Sequence, residues 1–141
     1  VRIPDVNVLL NSINSDSPHQ ARAAEWMESS LSGNETIGFP VISLIGFIRI
    51  STSRSALESP LAPTEALDQV DSWLGSTVAT VIHPGPRHLA LLRSLLEHTG
   101  TAGNLTTDAH LAALALEQRA TLATFDGDFH RFPSLKLDYL Q

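Results

Sequence analysis

Four aspartates are spaced through this chain so that a folded sheet could gather them. Asp5 ends the first apolar segment, Asp108 stands near the start of a helical segment, and Asp126 and Asp128 follow a late apolar run. Two carboxylates about 5 Å apart repel by roughly 3 kcal/mol at an effective dielectric near 20. Three that converge must therefore hold protons or hold a cation. The sequence has no cysteine, which removes disulfides, thiolate zinc sites and a cysteine nucleophile and leaves carboxylate and imidazole as the strong ligands. The ion these acids suit is hard and oxygen-bound, Mg²⁺ or Mn²⁺, which keeps several waters and leaves room for a phosphate oxygen. Metal-assisted hydrolysis of an RNA or DNA phosphodiester is the chemistry such a cluster would perform. Taken singly, each acid has a plainer reading: Asp108 as a helix-start residue, Asp126-Gly127-Asp128 as a turn. Only their joint placement makes a site.

That placement depends on the elements around them. Val1 to Asp5 reads as a strand, and Val6 to Leu10 as a short buried helix. Ser17-Pro18 has the form of a cap followed by proline at the first helical position, predicting a helix through Ala21, Ala24, Met27 and Leu31 that stops at Gly33. Thr36 to Phe39 is a second strand. Pro40 then opens a helix whose apolar face carries Val41, Leu44, Ile45, Phe47 and Ile48, with Arg49 and Arg54 near its end. Ser55 to Ala62 is a loop and Thr64 to Leu74 a helix. Val78 to Ile82 is a third strand, His83 to Pro86 a turn, and Arg87 to Glu97 a further amphipathic helix. A polar stretch, Thr99 to Asn104, precedes a helix from Thr106 or Thr107 to Gln118 that is nearly all small and apolar and so belongs at the centre. Thr121 to Phe125 and Lys136 to Leu140 complete five strands. Strands alternating with helices imply an α/β protein with a mainly parallel sheet covered on both faces. Ligands of such sheets bind beyond the carboxyl ends of the strands, where Asp5 and Asp126 fall.

Composition narrows the class. At 141 residues and 43% hydrophobic, one domain over residues 1–141 is expected, burying roughly two-thirds of its unfolded surface. The longest apolar stretch, Ile37 to Ile48, contains Pro40 and Ser43 and is short of the ~20 residues that span a bilayer. A soluble, cytoplasmic protein with no membrane association is the expectation. The formal net charge of -6 argues against a generally basic nucleic-acid-binding surface. It leaves a nuclease open, because bound divalent ions would neutralise several acids, and the eight Arg and one Lys could still be clustered.

Three segments resemble one known family. Ile3-Pro4-Asp5-Val6-Asn7, Asn104-Leu105-Thr106-Thr107-Asp108-Ala109-His110-Leu111-Ala112-Ala113 and Thr124-Phe125-Asp126-Gly127-Asp128-Phe129 look like the motifs of a PIN domain, and Gly46-Phe47-Ile48-Arg49 resembles its acid-bearing helix. The resemblance extends over essentially the whole chain and is strongest to VapC-type toxins of bacterial toxin-antitoxin pairs. It implies a three-layer α/β/α sandwich with a central, mainly parallel five-stranded sheet, Mg²⁺- or Mn²⁺-dependent endoribonuclease activity, a homodimer, and a VapB-type antitoxin that covers the site. Carried over by position, Asp5, Asp108 and Asp126 would be the catalytic metal ligands and Asp128 a weaker one. Asn7 and Thr124 match the polar positions that orient them. The departure is Gly46, where the family usually has glutamate. Loss of that carboxylate weakens a second metal position, and Ser43, one turn earlier, is placed to offer a hydroxyl to a metal-bound water. Arg49, near the same edge, would hold a phosphate, pair with an acid or stand solvated at the helix end.

Competing readings fit less well. A haloacid-dehalogenase-like phosphatase needs a second aspartate two residues after the first, where this chain has Asn7. A receiver domain needs an aspartate after its middle strand, where Val78 to Ile82 leads into His83-Pro84. No glycine-rich phosphate loop or GxSxG elbow is present. His19, His110 and His130 lack the i, i+4 pairing of a helical zinc site and read as surface or cap residues. Trp26 and Trp73 read as core or dimer-interface residues. The alternative of another class is a PIN-fold protein that binds antitoxin or RNA with weak or no cleavage, because Gly46 replaces the glutamate.

Overall fold

The computed structural model describes residues 1–141. Its five strands are β1 (Arg2–Pro4), β2 (Ile37–Pro40), β3 (Ala79–Ile82), β4 (Thr121–Thr124) and β5 (Lys136–Tyr139). Its six α-helices are α1 (Val6–Ile13), α2 (Gln20–Leu31), α3 (Val41–Ser51), α4 (Pro63–Leu74), α5 (His88–Thr99) and α6 (Thr106–Gln118). The strands form one sheet in the order β3-β2-β1-β4-β5, and every pairing is parallel. The chain builds outward from β1 through β2 to β3, then returns to the other side of β1 with β4 and β5. The reversal lies between β1 and β4, where connections leaving in opposite directions open a crevice at the strands' carboxyl ends.

Burial follows from this order. β2 is buried at all four residues and β4 at its last three, as strands covered on both faces must be. The side chains divide by strand alternation. Ile3 and Leu122 enter a core with Leu95 of α5 and the apolar face of α6. Ile37, Phe39 and Ala123 enter a second core with side chains of α1, α2, α3 and α4. The result is three layers, α/β/α. In α6 the alanines 109, 112, 113 and 115 are fully buried, so small side chains let this helix lie close to the sheet. Trp26 and Trp73 are both core residues. The Trp26 indole N–H donates to Asp138 at 3.1 Å, and Trp73 stacks on Phe39 and meets Phe47 edge-on.

Helix starts differ from the sequence expectation where side chains compete for the backbone. The Ser17 hydroxyl accepts from His19 N–H at 3.0 Å and donates to Asn11 at 2.6 Å. It thereby holds a turn rather than a cap, and α2 starts at Gln20. In α4, Pro63 itself is the first helical residue, and the Glu65 carboxylate reaches back to Ala62 N–H at 2.9 Å. No helix is long and apolar enough to cross a membrane.

His110 is not the surface or cap residue expected. It is half-buried, and its Nδ1 lies 2.9 Å from Nε2 of the buried His88, whose Nδ1 lies 2.7 Å from Glu117 Oε1. With the Glu117 carboxylate as acceptor, His88 donates from Nδ1 and accepts from His110 Nδ1–H. Burial and the neighbouring His88 hold the His110 pKa below its ordinary value. The other Glu117 oxygen accepts from Gly85 N–H at 2.9 Å, which ties the loop after β3 to α6. A Cβ at position 85 would run into that same oxygen. Gly85→Ala is therefore expected to displace the carboxylate and destabilise the fold by about 1–3 kcal/mol, read as a lower denaturation midpoint in urea.

Candidate metal centre

Asp5 is the N-cap of α1, directly after β1, and is 5% exposed. Its Oδ1 accepts from Val6 N–H at 2.7 Å and its Oδ2 from the Thr124 hydroxyl at 2.8 Å. Thr124 ends the adjacent strand β4 and is fully buried. Its hydroxyl, having given its proton to Asp5, accepts from Asn7 Nδ2 at 3.2 Å and from Asp126 N–H at 3.0 Å. Asn7 Oδ1 closes the circuit by accepting from Phe125 N–H at 3.1 Å. The Thr124 oxygen thus uses its one donor and both lone pairs, and fixes the start of α1 to the exit of β4. The structure brings Asn7 and Thr124 together with the acids as orienting groups.

Beyond Thr124 the chain turns. Asp126 Oδ1 accepts from Asp128 N–H at 2.9 Å, so the turn expected of Asp126-Gly127-Asp128 is real and presents both carboxylates to one side. Asp108 reaches the same place from the first turn of α6. Ligand oxygens of Asp108, Asp126 and Asp128 lie within 4.8 Å of one another. The sequence expectation names Asp5, Asp108 and Asp126 as metal ligands with Asp128 as a weaker one, and all four acids lie at this edge. The tightest group includes Asp128, and Asp5 sits behind it with its carboxylate engaged by Val6 and Thr124.

Burial comes first and then the charges of Asp126, Asp5 and Asp128 in pushing the Asp108 pKa up to about 6. The Asp5 pKa is also raised, by burial first and by Asp126, against the lowering effect of its two hydrogen bonds. At separations near 5 Å each like-charge pair costs about 3 kcal/mol at a dielectric near 20. A divalent cation removes that cost, and an all-oxygen donor set of three carboxylates suits Mg²⁺ or Mn²⁺. The residues present fit such an ion.

A cleft of about 330 Å³ adjoins the acids, lined by Asp5, Asp108 and Asp126 on one side and by Ser43, Gly46 and Arg49 of α3 on the other. The Ser43 hydroxyl is buried there without a hydrogen-bond partner. A Cβ on Gly46 would stand 3.1 Å from Val6 Cγ2, so the glycine accommodates the close approach of α1 to α3 as well as leaving the cleft wall bare. Arg49 makes no ion pair and faces the cleft as the expected cation. Of the other histidines near the motif segments, His19 packs on Phe125 and His130 bonds Gly127 O. The sequence reading missed Arg131, which lines a second hollow beside Asp108 and Asp128. Its only sequence signal is its position three residues after Asp128.

The raised pKa of Asp108 gives a signed pH effect. Its folded value, about 6, exceeds its ordinary value of 3.8, so the contribution of this group to metal-free stability is complete below the ordinary value and is lost as pH rises through about 6. Asp108→Asn should therefore melt higher than the parent chain at pH 7 in EDTA, with the gap closing toward pH 4. Thermal melts at both pH values check this, and Mn²⁺ should raise the melting temperature of the parent far more than that of the variant.

Known proteins share the sequence and the fold. The family described as PIN domain matches residues 2–135. Ribonuclease VapC37 of Mycobacterium tuberculosis is 38% identical over 138 residues, covering 98% of this chain and 96% of that protein. Ribonuclease VapC33 of the same species is 40% identical over 134 residues, covering 95% and 94%. Among solved structures, VapBC2 from Rickettsia felis bound to a promoter DNA fragment superposes with a TM-score of 0.69 at 22% identity, covering 99% of this chain and 98% of that chain. The Mycobacterium tuberculosis toxin VapC20, which cleaves the sarcin-ricin loop, superposes with a TM-score of 0.67 at 17% identity, covering 92% and 93%. The two structures share the fold, and the VapC37 and VapC33 relatives share the sequence along nearly its whole length: this chain belongs to the PIN-domain family.

Proposed function

We propose that the protein is a metal-dependent endoribonuclease, the toxin of a type II toxin-antitoxin pair, acting in the cytoplasm. The observation that carries the reading is the convergence of Asp108, Asp126 and Asp128 within 4.8 Å at the reversal point of a parallel sheet, in a chain whose relatives at 38% and 40% identity are named ribonucleases. The homodimer comes from the family resemblance alone, and the antitoxin from that resemblance together with the similarity to VapBC structures. The partner is a VapB-type protein that covers the acidic cleft.

Asp108, Asp126 and Asp128 would hold Mg²⁺ or Mn²⁺. A bound divalent ion supplies acidification of a water and stabilisation of charge on the phosphate and leaving oxygen. The chain's own groups do the rest. Asp5, locked by Thr124 and Val6 and with its pKa raised by burial, is placed to take the proton of the attacking water. Arg49, across the cleft, binds a phosphate oxygen through its fixed fork of donors. Asn7 and Thr124 keep Asp5 and Asp126 at their separation.

Cleavage of single-stranded RNA by the pure protein should require Mn²⁺ or Mg²⁺, stop in EDTA, and fall at least about a hundredfold in Asp5→Asn and in Asp108→Asn. Equal cleavage by those variants would assign the activity to a contaminant. The bare cleft wall at Gly46 favours a second reading, binding with weak cleavage. Gly46→Glu, paired with Val6→Ala to clear the Cβ contact, separates the two. A tenfold or greater gain in Mn²⁺ affinity and turnover over the parent chain supports the attenuated site. No gain in either means that the three acids already form the full working set.

A further inference from the structure

Asp108 stands on a divide. On one side is the cleft with Arg49. On the other is a hollow of about 320 Å³ lined by Asp108, Asp128 and Arg131 and by the polar loop residues Thr101, Gly103 and Asn104. Asp108 is the one residue that lines both, and the acid trio lies along the boundary. Each hollow has a volume at the lower end of the range for small-molecule sites, about 300 Å³ upward, which suits one nucleotide unit.

Acids outnumber cations on both sides, with Asp5, Asp108 and Asp126 in the cleft and Asp108 and Asp128 in the hollow. Each has one arginine, and neither Arg49 nor Arg131 makes an ion pair. Arg131 is exposed at the end of the short 3₁₀ turn Gly127–Arg131 that also bears Asp128, so its guanidinium and that carboxylate are carried by one rigid piece of chain. In a protein of net charge -6 the acids favour a guanidinium beside them, and because Arg131 is not tied up in an ion pair its donors remain free for a phosphate. The loop on the far side contributes the amide of Asn104 and the hydroxyl of Thr101, uncharged groups that read ribose or base edges rather than repel them.

We propose that the hollow at Arg131 is the second arm of the substrate groove: a single RNA strand crosses the Asp108 divide with its scissile phosphate at the acids, one flanking phosphate on Arg49 and the other on Arg131. This rests on the ribonuclease reading for the identity of the strand, but it names a binding residue and a length requirement which that reading lacks. The site then spans the cut on both sides, so substrates need at least one nucleotide unit in each hollow. Arg131 binds and positions; it takes no part in proton transfer.

The test uses the full chain and a fluorescein-labelled 12-nucleotide single-stranded RNA. Binding is measured by anisotropy in Ca²⁺, and cleavage is measured separately in Mn²⁺. Arg131→Gln should weaken binding about tenfold and lower the slope of log affinity against log salt by about one. In cleavage it should raise KM with kcat nearly unchanged, and Arg131→Lys should restore most of the loss. Shortening the RNA from the end that occupies this hollow should abolish the difference between variant and parent, whereas shortening the other end should leave it. Binding by Arg131→Gln equal to the parent, or a loss indifferent to which end is shortened, overturns the proposal while leaving the ribonuclease reading intact. If the parent binds without cleaving and Arg131→Gln weakens that binding, the ribonuclease reading fails and the groove stands. If the parent neither binds nor cleaves, both fall.

Discussion

The pairing of β1 with β4, closed by the Thr124 hydroxyl, is the constraint on which the acidic edge depends. Arg2, Ile3 and Pro4 lie opposite Thr121, Leu122 and Ala123, so the next residues of each strand emerge side by side. Left alone, Asp5 and Asp126 would separate under their own repulsion. The Thr124 oxygen prevents this by donating to one and accepting from the backbone of the other. Because that oxygen is fully buried with its capacity used, losing it would leave the buried Asp5 carboxylate without one of its two partners, at a cost of about 1–3 kcal/mol. The carboxylates are thus held close by hydrogen bonds from uncharged donors anchored in the sheet, and the unfavourable electrostatics remain available to a cation.

The same economy of positions explains the rest of the edge. α6 carries Asp108 in its first turn and packs by alanines against the sheet, so the carboxylate has little freedom to retreat. Glu117, near the other end of α6, clamps the loop after β3 and the buried His88, which makes α6 a rigid strut between the two flanks of the edge. Held there, Asp108 has its pKa raised by burial first and then by the charges of Asp126, Asp5 and Asp128.

Much of this could be read from the sequence. The five strands, their parallel arrangement and the placement of Asp5 and Asp126 at strand ends follow from apolar runs alternating with helical periodicity. Boundaries were less legible, because at Ser17 a side-chain hydroxyl chose a turn over a cap, and at Pro63 the proline was inside the helix. What the sequence could not show was distance. Asp128 was expected as the weaker ligand by its position in the family pattern, and the turn after Asp126 brings its carboxylate within 4.8 Å of those of Asp108 and Asp126. His110 looked like a surface residue because its partners, His88 and Glu117, lie on either side of it in sequence and meet only through α5 packing on α6. Arg131 carried no signal of its own; its place beside Asp108 arises only when the 3₁₀ turn folds back toward the loop before α6.

The most direct test of the account is the position of Mn²⁺ located by its anomalous scattering in crystals of the protein soaked in the ion. The account predicts an ion held by Asp108, Asp126 and Asp128, with the Asp5 carboxylate still accepting from Thr124. An ion absent from these carboxylates at millimolar Mn²⁺, or bound instead at His88 and His110, would contradict it.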